Sequence, residues 1–175
     1  MKSQPVRRTA FSVLELIVVV VILGVLAALA IPQLSSAASL SPEEQLRQQL
    51  RVLRTAIELY YQDHGAYPAQ RPAGAHPAGT PGAFVRQLTM YTDAEGNVAP
   101  APDERFRFGP YLRDEIPPCP VTGAPGNQIA IVQGPQMPGY MPDHPHAAWV
   151  YNPQTGYIAA NSDQRDPQGK RYDSY

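Results

Sequence analysis

The sequence predicts an α+β protein in which a long helical region is followed by a small sheet. An apolar run extends from Phe11 to Ile31 near the start of the 175-residue chain. A segment with helical apolar spacing comes next, and most of the 20 prolines and 13 glycines follow Gly65. Because these residues interrupt helices and favour turns, the second half is expected to contain short strands and loops.

The composition argues against nucleic-acid binding and is not biased enough to imply disorder. A net charge of -1 does not suit a protein that coats a polyanion. The chain also has ten tyrosines and one tryptophan, which are available for a small core. Cys119 is the one cysteine, so no disulfide within the chain is possible, and it is expected to be a small buried residue.

The apolar run contains one carboxylate, Glu15, near its beginning. The run reaches the roughly 20 residues that span a bilayer, and the basic residues before it are expected to stay on the cytoplasmic side. A charge in hydrocarbon is costly unless it is paired. Cleavage between Ala10 and Phe11 would place a positive α-amine on Phe11. In a stack of staggered copies, that amine can meet Glu15 of a neighbouring subunit and fix the register of assembly.

Two other interpretations of the N-terminus remain open. One is a removable secretory signal, because small residues follow the apolar run and end near Ala38. A secreted enzyme or binding domain would then remain after cleavage. The other is a plain membrane anchor, in which Glu15 is tolerated without a partner.

The motif Ala10-Phe11-Ser12-Val13-Leu14-Glu15 resembles the class III signal of type IV pilins and type II secretion pseudopilins. The resemblance implies that a prepilin peptidase cuts before Phe11 and methylates the new amine. Gly24 and Pro32 lie where the family has a helix-softening glycine and a proline, and Pro32 is expected to kink or interrupt the helix. The motif departs from the family pattern at Ala10, where glycine is usual.

A second helix is predicted to begin at Ser41. Ser41 and the three residues after it form a capping box with Pro42 at the first helical position. Apolar side chains then recur at spacings of four and three, and Gly65 is the expected stop. The stripe comprises Leu46, Leu50, Leu53, Ile57 and Tyr60. On the opposite face, Arg54 and Glu58 are four residues apart and can pair.

Two further segments resemble the G-type, or major, pseudopilins of type II secretion. The first is the passage from Ala56 to Pro68, which is similar to the family pattern A-x-x-x-Y-x-x-D-x-G-x-Y-P. The resemblance suggests that Asp63 bonds the turn around Gly65 and that the Tyr67 ring lies back on the helix. The second is the G-P-Y-L segment and the prolines after it, in residues 109–120. The family follows this segment with an aromatic-rich sheet.

The remaining elements are short. Residues 69–82 are predicted to be an exposed loop or linker, and Thr80-Pro81 to start a short helix with Phe84 and Leu88 inward. A turn is expected at residues 93–97. Residues 128–133 are expected to form one strand, and residues 147–151 and 157–161 a hairpin.

Metal binding is not the favoured interpretation of any segment. His144 and His146 flank a proline, and no nearby Cys or Glu completes a site, so both are expected to be loop residues. Many G-type pseudopilins bind calcium in an Asp-rich C-terminal loop, and that resemblance makes Asp163 and Asp166 weak calcium candidates. The cations nearby favour a solvated tail instead. No catalytic motif is found, so we predict a protein that is not an enzyme and needs no cofactor.

Together these observations and the resemblance predict a pilin-like fold, with a long N-terminal helix packed on a small antiparallel sheet. The expected segments are a leader (1–10), a transmembrane and polymerisation helix (11–32), an amphipathic helix (33–65), a Pro/Gly-rich loop (66–82) and a C-terminal β-containing region (83–175).

The function implied by the resemblance is structural. The chain is expected to be held in the inner membrane by a single pass, with its body outside the cytoplasm, and to form a pseudopilus by homopolymerisation. The implied partners are prepilin peptidase, a cytoplasmic ATPase, secretion platform proteins and minor pseudopilins. The alternative within the same class is a type IV pilin or minor pilin for adhesion, motility or DNA uptake.

Overall fold

The structure, a computed structural model, describes residues 13–23 and 40–175. The chain divides into two compact units, Met1–Leu40 and Ser41–Tyr175. In the first unit, residues 13–23 form helix α1. The second unit contains helices α2 (Pro42–His64) and α3 (Pro81–Thr89), strands β1 (Tyr91–Thr92), β2 (Val98–Ala99), β3 (Ile129–Ile131), β4 (Trp149–Tyr151) and β5 (Ile158–Ala160), and a 3-10 turn (Tyr172–Ser174). The predicted α+β class is therefore confirmed.

Helix α2 has the ends that the sequence predicts. The Ser41 hydroxyl accepts a hydrogen bond from the Glu44 N–H at 3.3 Å, and Pro42 occupies the first turn. At the other end Gly65 adopts the left-handed conformation, with φ of 64°, and its N–H donates to the Tyr61 carbonyl. Only glycine enters this conformation without steric cost, so Gly65 ends the helix cleanly.

The apolar stripe of α2 forms one side of the core. Each of its five predicted members is at most 2 % exposed. Opposite the stripe lie Phe84 of α3 and the aromatic side chains of β4, all fully buried. The Trp149 indole N–H donates to the Pro117 carbonyl at 2.9 Å, and the Tyr151 hydroxyl donates to the Pro68 carbonyl at 3.1 Å. Burial of these large rings, together with the aliphatic stripe, stabilises this unit.

The prediction of an antiparallel sheet is wrong in one respect, because the observed three-stranded sheet is mixed. Its strand order is β3-β4-β5. Strands β4 and β5 form the expected antiparallel hairpin, but β3 pairs with β4 in parallel. Residues 132–148 carry the chain back along the sheet before β4 begins, and a long return of this kind is what a parallel pair requires. A separate two-stranded antiparallel ladder joins β1 and β2 around the predicted turn at 93–97.

The Pro/Gly-rich segment before α3 is mostly exposed, as predicted for residues 69–82, but it is anchored in the core and is not a detached linker. Pro68, Ala69 and Ala73 are buried, and Ala69 and Ala73 belong to the main core cluster. Ala73 and His76 exchange backbone hydrogen bonds in a tight turn. Small alanine side chains let this irregular backbone approach the core closely, which its composition alone did not indicate.

Two single-residue predictions have different outcomes. Cys119 is fully buried, as expected, and burial raises the pKa of its thiol. The predicted pair of Arg54 and Glu58 is not formed. The Arg54 guanidinium instead donates to the carbonyl oxygens of Ile158 and Tyr175, at 3.2 and 2.7 Å. This fastens α2 to β5 and to the 3-10 turn after it.

Candidate functional site

Helix α1 exposes apolar side chains around its whole circumference. Ten of its residues are large aliphatics, and their exposed fractions range from 45 % at Val19 to 75 % at Val13. Glu15 is the single polar residue of the described helix and is also exposed. A helix that is apolar on every side needs lipid or other apolar helices around it. Within residues 13–23 and 40–175, no helix is both long and apolar enough to cross a bilayer.

Of the five site residues predicted in the N-terminal segment, the structure describes only Glu15. Ala10, Phe11, Gly24 and Pro32 lie outside the described residues. Cleavage, methylation and helix softening at these positions therefore stay predictions.

The two pseudopilin-like segments of the second unit contact each other. The Tyr111 hydroxyl donates to the Asp63 carboxylate at 2.7 Å, and the Tyr111 ring packs edge-on against Tyr60, with centroids 5.4 Å apart. The prediction that Asp63 bonds the turn around Gly65 is therefore wrong, because its carboxylate accepts from Tyr111 and the Gly65 N–H donates to the Tyr61 carbonyl. The Tyr67 side chain lies back on α2 as expected. Its ring stacks on the Tyr61 ring, with centroids 4.4 Å apart.

His64 connects the end of α2 to the β1–β2 turn. Its Nδ1 lies 2.9 Å from the Tyr60 carbonyl oxygen, and its Nε2 lies 3.0 Å from the Asp93 carbonyl oxygen. The ring stacks on Tyr60 with centroids 4.0 Å apart, and Phe108 packs against its edge. His64 is only 7 % exposed. The sequence indicated a helix end here but not this buried link.

A buried carboxylate organises the turn at 93–97. Asp93 is 1 % exposed, and its oxygens accept hydrogen bonds from the backbone of Glu95 and from the backbone and side chain of Asn97. Arg105 forms an ion pair with the same carboxylate, with Nη2 of Arg105 at 2.7 Å from Oδ2 of Asp93. Burial raises the pKa of Asp93, but the hydrogen bonds from Asn97 and Arg105 outweigh burial, so the pKa lies below its ordinary value of 3.8.

Stability is expected to fall in acid because of this carboxylate. A folded-state pKa below the unfolded value gives stability that is present above about pH 3.9 and is lost as the pH falls through the folded pKa. Urea unfolding between pH 6 and pH 2 measures this loss. Asp93→Asn should flatten the dependence below pH 4, whereas Asp114→Asn, at an exposed loop position, should leave it unchanged. If the free energy of unfolding of wild type, Asp93→Asn and Asp114→Asn falls equally with pH below pH 4, the acid sensitivity does not come from Asp93.

Gln87 is a buried polar residue that joins several backbone segments of the second unit, and no local sequence pattern indicates this role. It is fully buried in α3. Its Oε1 accepts from the Ala69 N–H at 2.6 Å. Its Nε2 faces the carbonyl oxygens of Arg71, Pro72 and Gly96, at 3.2, 3.4 and 3.0 Å. One amide thus joins the Pro/Gly-rich segment to α3 and to the β1–β2 turn.

A surface groove lies between α2 and the β4–β5 hairpin. Its volume is about 370 Å³, and its walls include Arg54, Glu58, Tyr67 and Tyr157. These residues offer charge and aromatic surface, but they form no pair of nucleophile and base. Elsewhere in residues 13–23 and 40–175, no cluster of three or more His, Cys, Asp or Glu side chains can hold a metal ion. His144 and His146 are loop residues, as expected.

The calcium candidates of the sequence are not equivalent. Asp163 is exposed, whereas Asp166 is only 6 % exposed and accepts several hydrogen bonds. The segment around Asp166 packs on α2 through the Tyr172 hydroxyl, which donates to Glu43 at 2.9 Å. The expectation of a solvated tail is therefore wrong for this residue.

Comparisons with known proteins identify relatives for part of the chain. This chain is 35% identical over 63 residues to the type II secretion system core protein G of Pseudomonas aeruginosa. The aligned residues are 36% of this chain and 44% of that protein. The protein of the same name from Klebsiella pneumoniae is 37% identical over 62 residues, which are 35% of this chain and 44% of the Klebsiella protein. The core protein G of Aeromonas hydrophila is 34% identical over 62 residues, which are 35% of this chain and 43% of the Aeromonas protein.

The matches leave more than half of each curated relative unaligned, so the chain spans less than half of their length. No protein-family model matches the chain, and no solved structure gives a significant match. Over the residues that the three relatives cover, the predicted resemblance to the major pseudopilins of type II secretion is confirmed.

Proposed function

We propose that this chain is the major structural subunit of a type II secretion pseudopilus. The observation that carries the proposal is helix α1, whose aliphatic surface is exposed on every side and whose one polar residue is Glu15. Such a helix suits a bilayer before assembly and a bundle of identical helices after it. The three relatives named as core protein G support the same role.

The second unit supports a pilin-like fold. Its helix α2 buries one stripe against a small sheet and leaves the opposite face in solvent. We infer that the apolar segment 11–32 is the membrane and polymerisation helix, that Gly24 and Pro32 soften it, and that segment 33–65 leads into the body. The body then lies outside the cytoplasm, with a single pass through the inner membrane.

Maturation is the step that makes assembly possible. A prepilin peptidase cuts between Ala10 and Phe11 and methylates the Phe11 amine, which keeps a positive charge. In the filament this amine pairs with Glu15 of the next copy, so that neither charge is left alone in an apolar surrounding. The assembly partners are the secretion platform, its ATPase and the minor pseudopilins.

Deletion of the gene in the native host tests the function. Protein export by the type II pathway is expected to stop, while adhesion, motility and DNA uptake continue. Complementation with the full chain should restore export, and cells that lack prepilin peptidase should not be rescued. Unchanged export together with lost motility or DNA uptake would favour a type IV pilin instead.

A further inference from the structure

The segment of residues 162–175, here called the tail loop, is closed around Asp166. One carboxylate oxygen, Oδ1, accepts from the backbone N–H groups of Gln168 and Lys170, at 2.9 and 2.8 Å. The other, Oδ2, accepts from the Tyr175 hydroxyl. The backbone of Asp166 and Lys170 adds a hydrogen bond of 2.9 Å. Three donors of the chain therefore converge on this one carboxylate.

The tail loop is also attached to the beginning of α2. The Tyr172 hydroxyl donates to Glu43 Oε1 at 2.9 Å, and Tyr172 is 8 % exposed. The Arg47 guanidinium lies 4.9 Å from the centre of the Tyr175 ring. On the same ring, Lys170 Nζ lies 4.2 Å from the centre. Cations at these distances from an aromatic face are attracted to it.

This arrangement does not fit a calcium ion. Calcium takes six to eight oxygen ligands, and carboxylates supply the strongest of them. The oxygens of Asp166 already face three hydrogen-bond donors, and a donor hydrogen cannot share its position with a dication. The Lys170 ammonium and the Arg165 guanidinium, which donates to the Gly169 carbonyl at 2.6 Å, add like charge to the same loop. Asp163, the other candidate, is exposed.

We propose that the tail loop closes without a metal, because hydroxyl and amide donors of the chain occupy the positions around Asp166 that calcium would need. Closure then fastens the loop to the first turn of α2 through Tyr172 and Glu43. The hydrogen bond from Tyr175 also lowers the pKa of Asp166, so the carboxylate keeps its charge to a lower pH than a free aspartate does. This inference does not rest on the proposed function.

Thermal unfolding of the purified full chain in detergent tests the proposal. The melting temperature is expected to agree within about 1 °C in EDTA and in a few millimolar calcium chloride, because an ion that does not bind the folded state cannot stabilise it. Amide exchange at Gln168 and Lys170 should be slow in EDTA. A calcium-dependent rise in melting temperature that disappears in Asp166→Asn would overturn the proposal and place the ion at this carboxylate.

Single-atom variants test the protein donors directly. Tyr175→Phe and Tyr172→Phe should each lower the melting temperature by about 3 °C, with and without calcium, because each removes one hydrogen bond to a carboxylate. Gln168→Ala is the matched control, since only its backbone N–H contacts Asp166. Melting temperatures of both tyrosine variants equal to that of Gln168→Ala would also overturn the proposal. Filament formation plays no part in these measurements, so a failure here leaves the proposed function untouched.

Discussion

Glu15→Val is expected to leave the chain in the membrane but to reduce the yield of filaments by at least about tenfold. Removing one partner of a desolvated ion pair costs about 3–5 kcal/mol, because the other charge is left alone. In the proposed filament, that other charge would be the Phe11 amine of the neighbouring copy. Filaments sheared from cells and counted by electron microscopy measure the effect, and membrane fractionation shows that insertion is unchanged.

Val19→Leu is the control for this experiment. It changes the same exposed surface of α1 by one methylene group and leaves the charge in place. It should assemble at the wild-type level. Glu15→Asp, which keeps the charge on a shorter side chain, should assemble better than Glu15→Val. Filament yield of Glu15→Val equal to that of Val19→Leu would contradict the pairing argument.

Gln87→Glu is expected to destabilise the second unit by about 3 kcal/mol or more. The substitution keeps the shape of the side chain but replaces the amide donor with a carboxylate that faces three carbonyl oxygens. These oxygens lose their donor, and burial of this position disfavours the new charge. Urea unfolding of wild type and variant at neutral pH measures the difference in the free energy of unfolding.

Two further variants separate charge from hydrogen bonding. Gln87→Met removes the bonds without adding a charge, so its loss should be smaller than that of Gln87→Glu. Gln62→Glu makes the same chemical change on the exposed face of α2 and should stay within about 0.5 kcal/mol of wild type. If Gln87→Glu is as stable as Gln62→Glu, the central role of Gln87 is wrong.

Local signals in the sequence are sufficient to predict helix α2 and the start of helix α3. The cap at Ser41, the apolar stripe and Gly65 act within one or two turns of chain, so they predicted α2 without knowledge of any other element. The same holds for the start of α3 at Thr80 and Pro81. The β4–β5 hairpin was also predictable, because a short turn sets the direction of both its strands.

Contacts between distant residues were not predictable in this way. The parallel pairing of β3 and β4 depends on the path of residues 132–148, which has no periodic pattern. Gln87 looks like an ordinary polar residue of a short helix until the carbonyl groups around it are placed. The bond from Tyr172 to Glu43 joins residues 129 positions apart in the chain.

The candidate site shows the same division. For the carboxylate at position 15, the sequence predicts a role in assembly, because an unpaired charge within an apolar run is costly. The family resemblance implies the same cleavage site before Phe11, and both assignments stay predictions. The Tyr111 side chain brings together two segments that the resemblance names separately, because its hydroxyl donates to Asp63 and its ring packs against Tyr60.

Mass spectrometry of the mature N-terminus tests the central claim most directly. We expect the processed chain to begin with N-methylated Phe11, since only cleavage after Ala10 creates the cation that Glu15 needs. In cells without prepilin peptidase, the unprocessed leader should remain attached. A mature chain that begins near Ser39 would show that an ordinary signal peptidase removes the whole apolar segment, and would contradict the account.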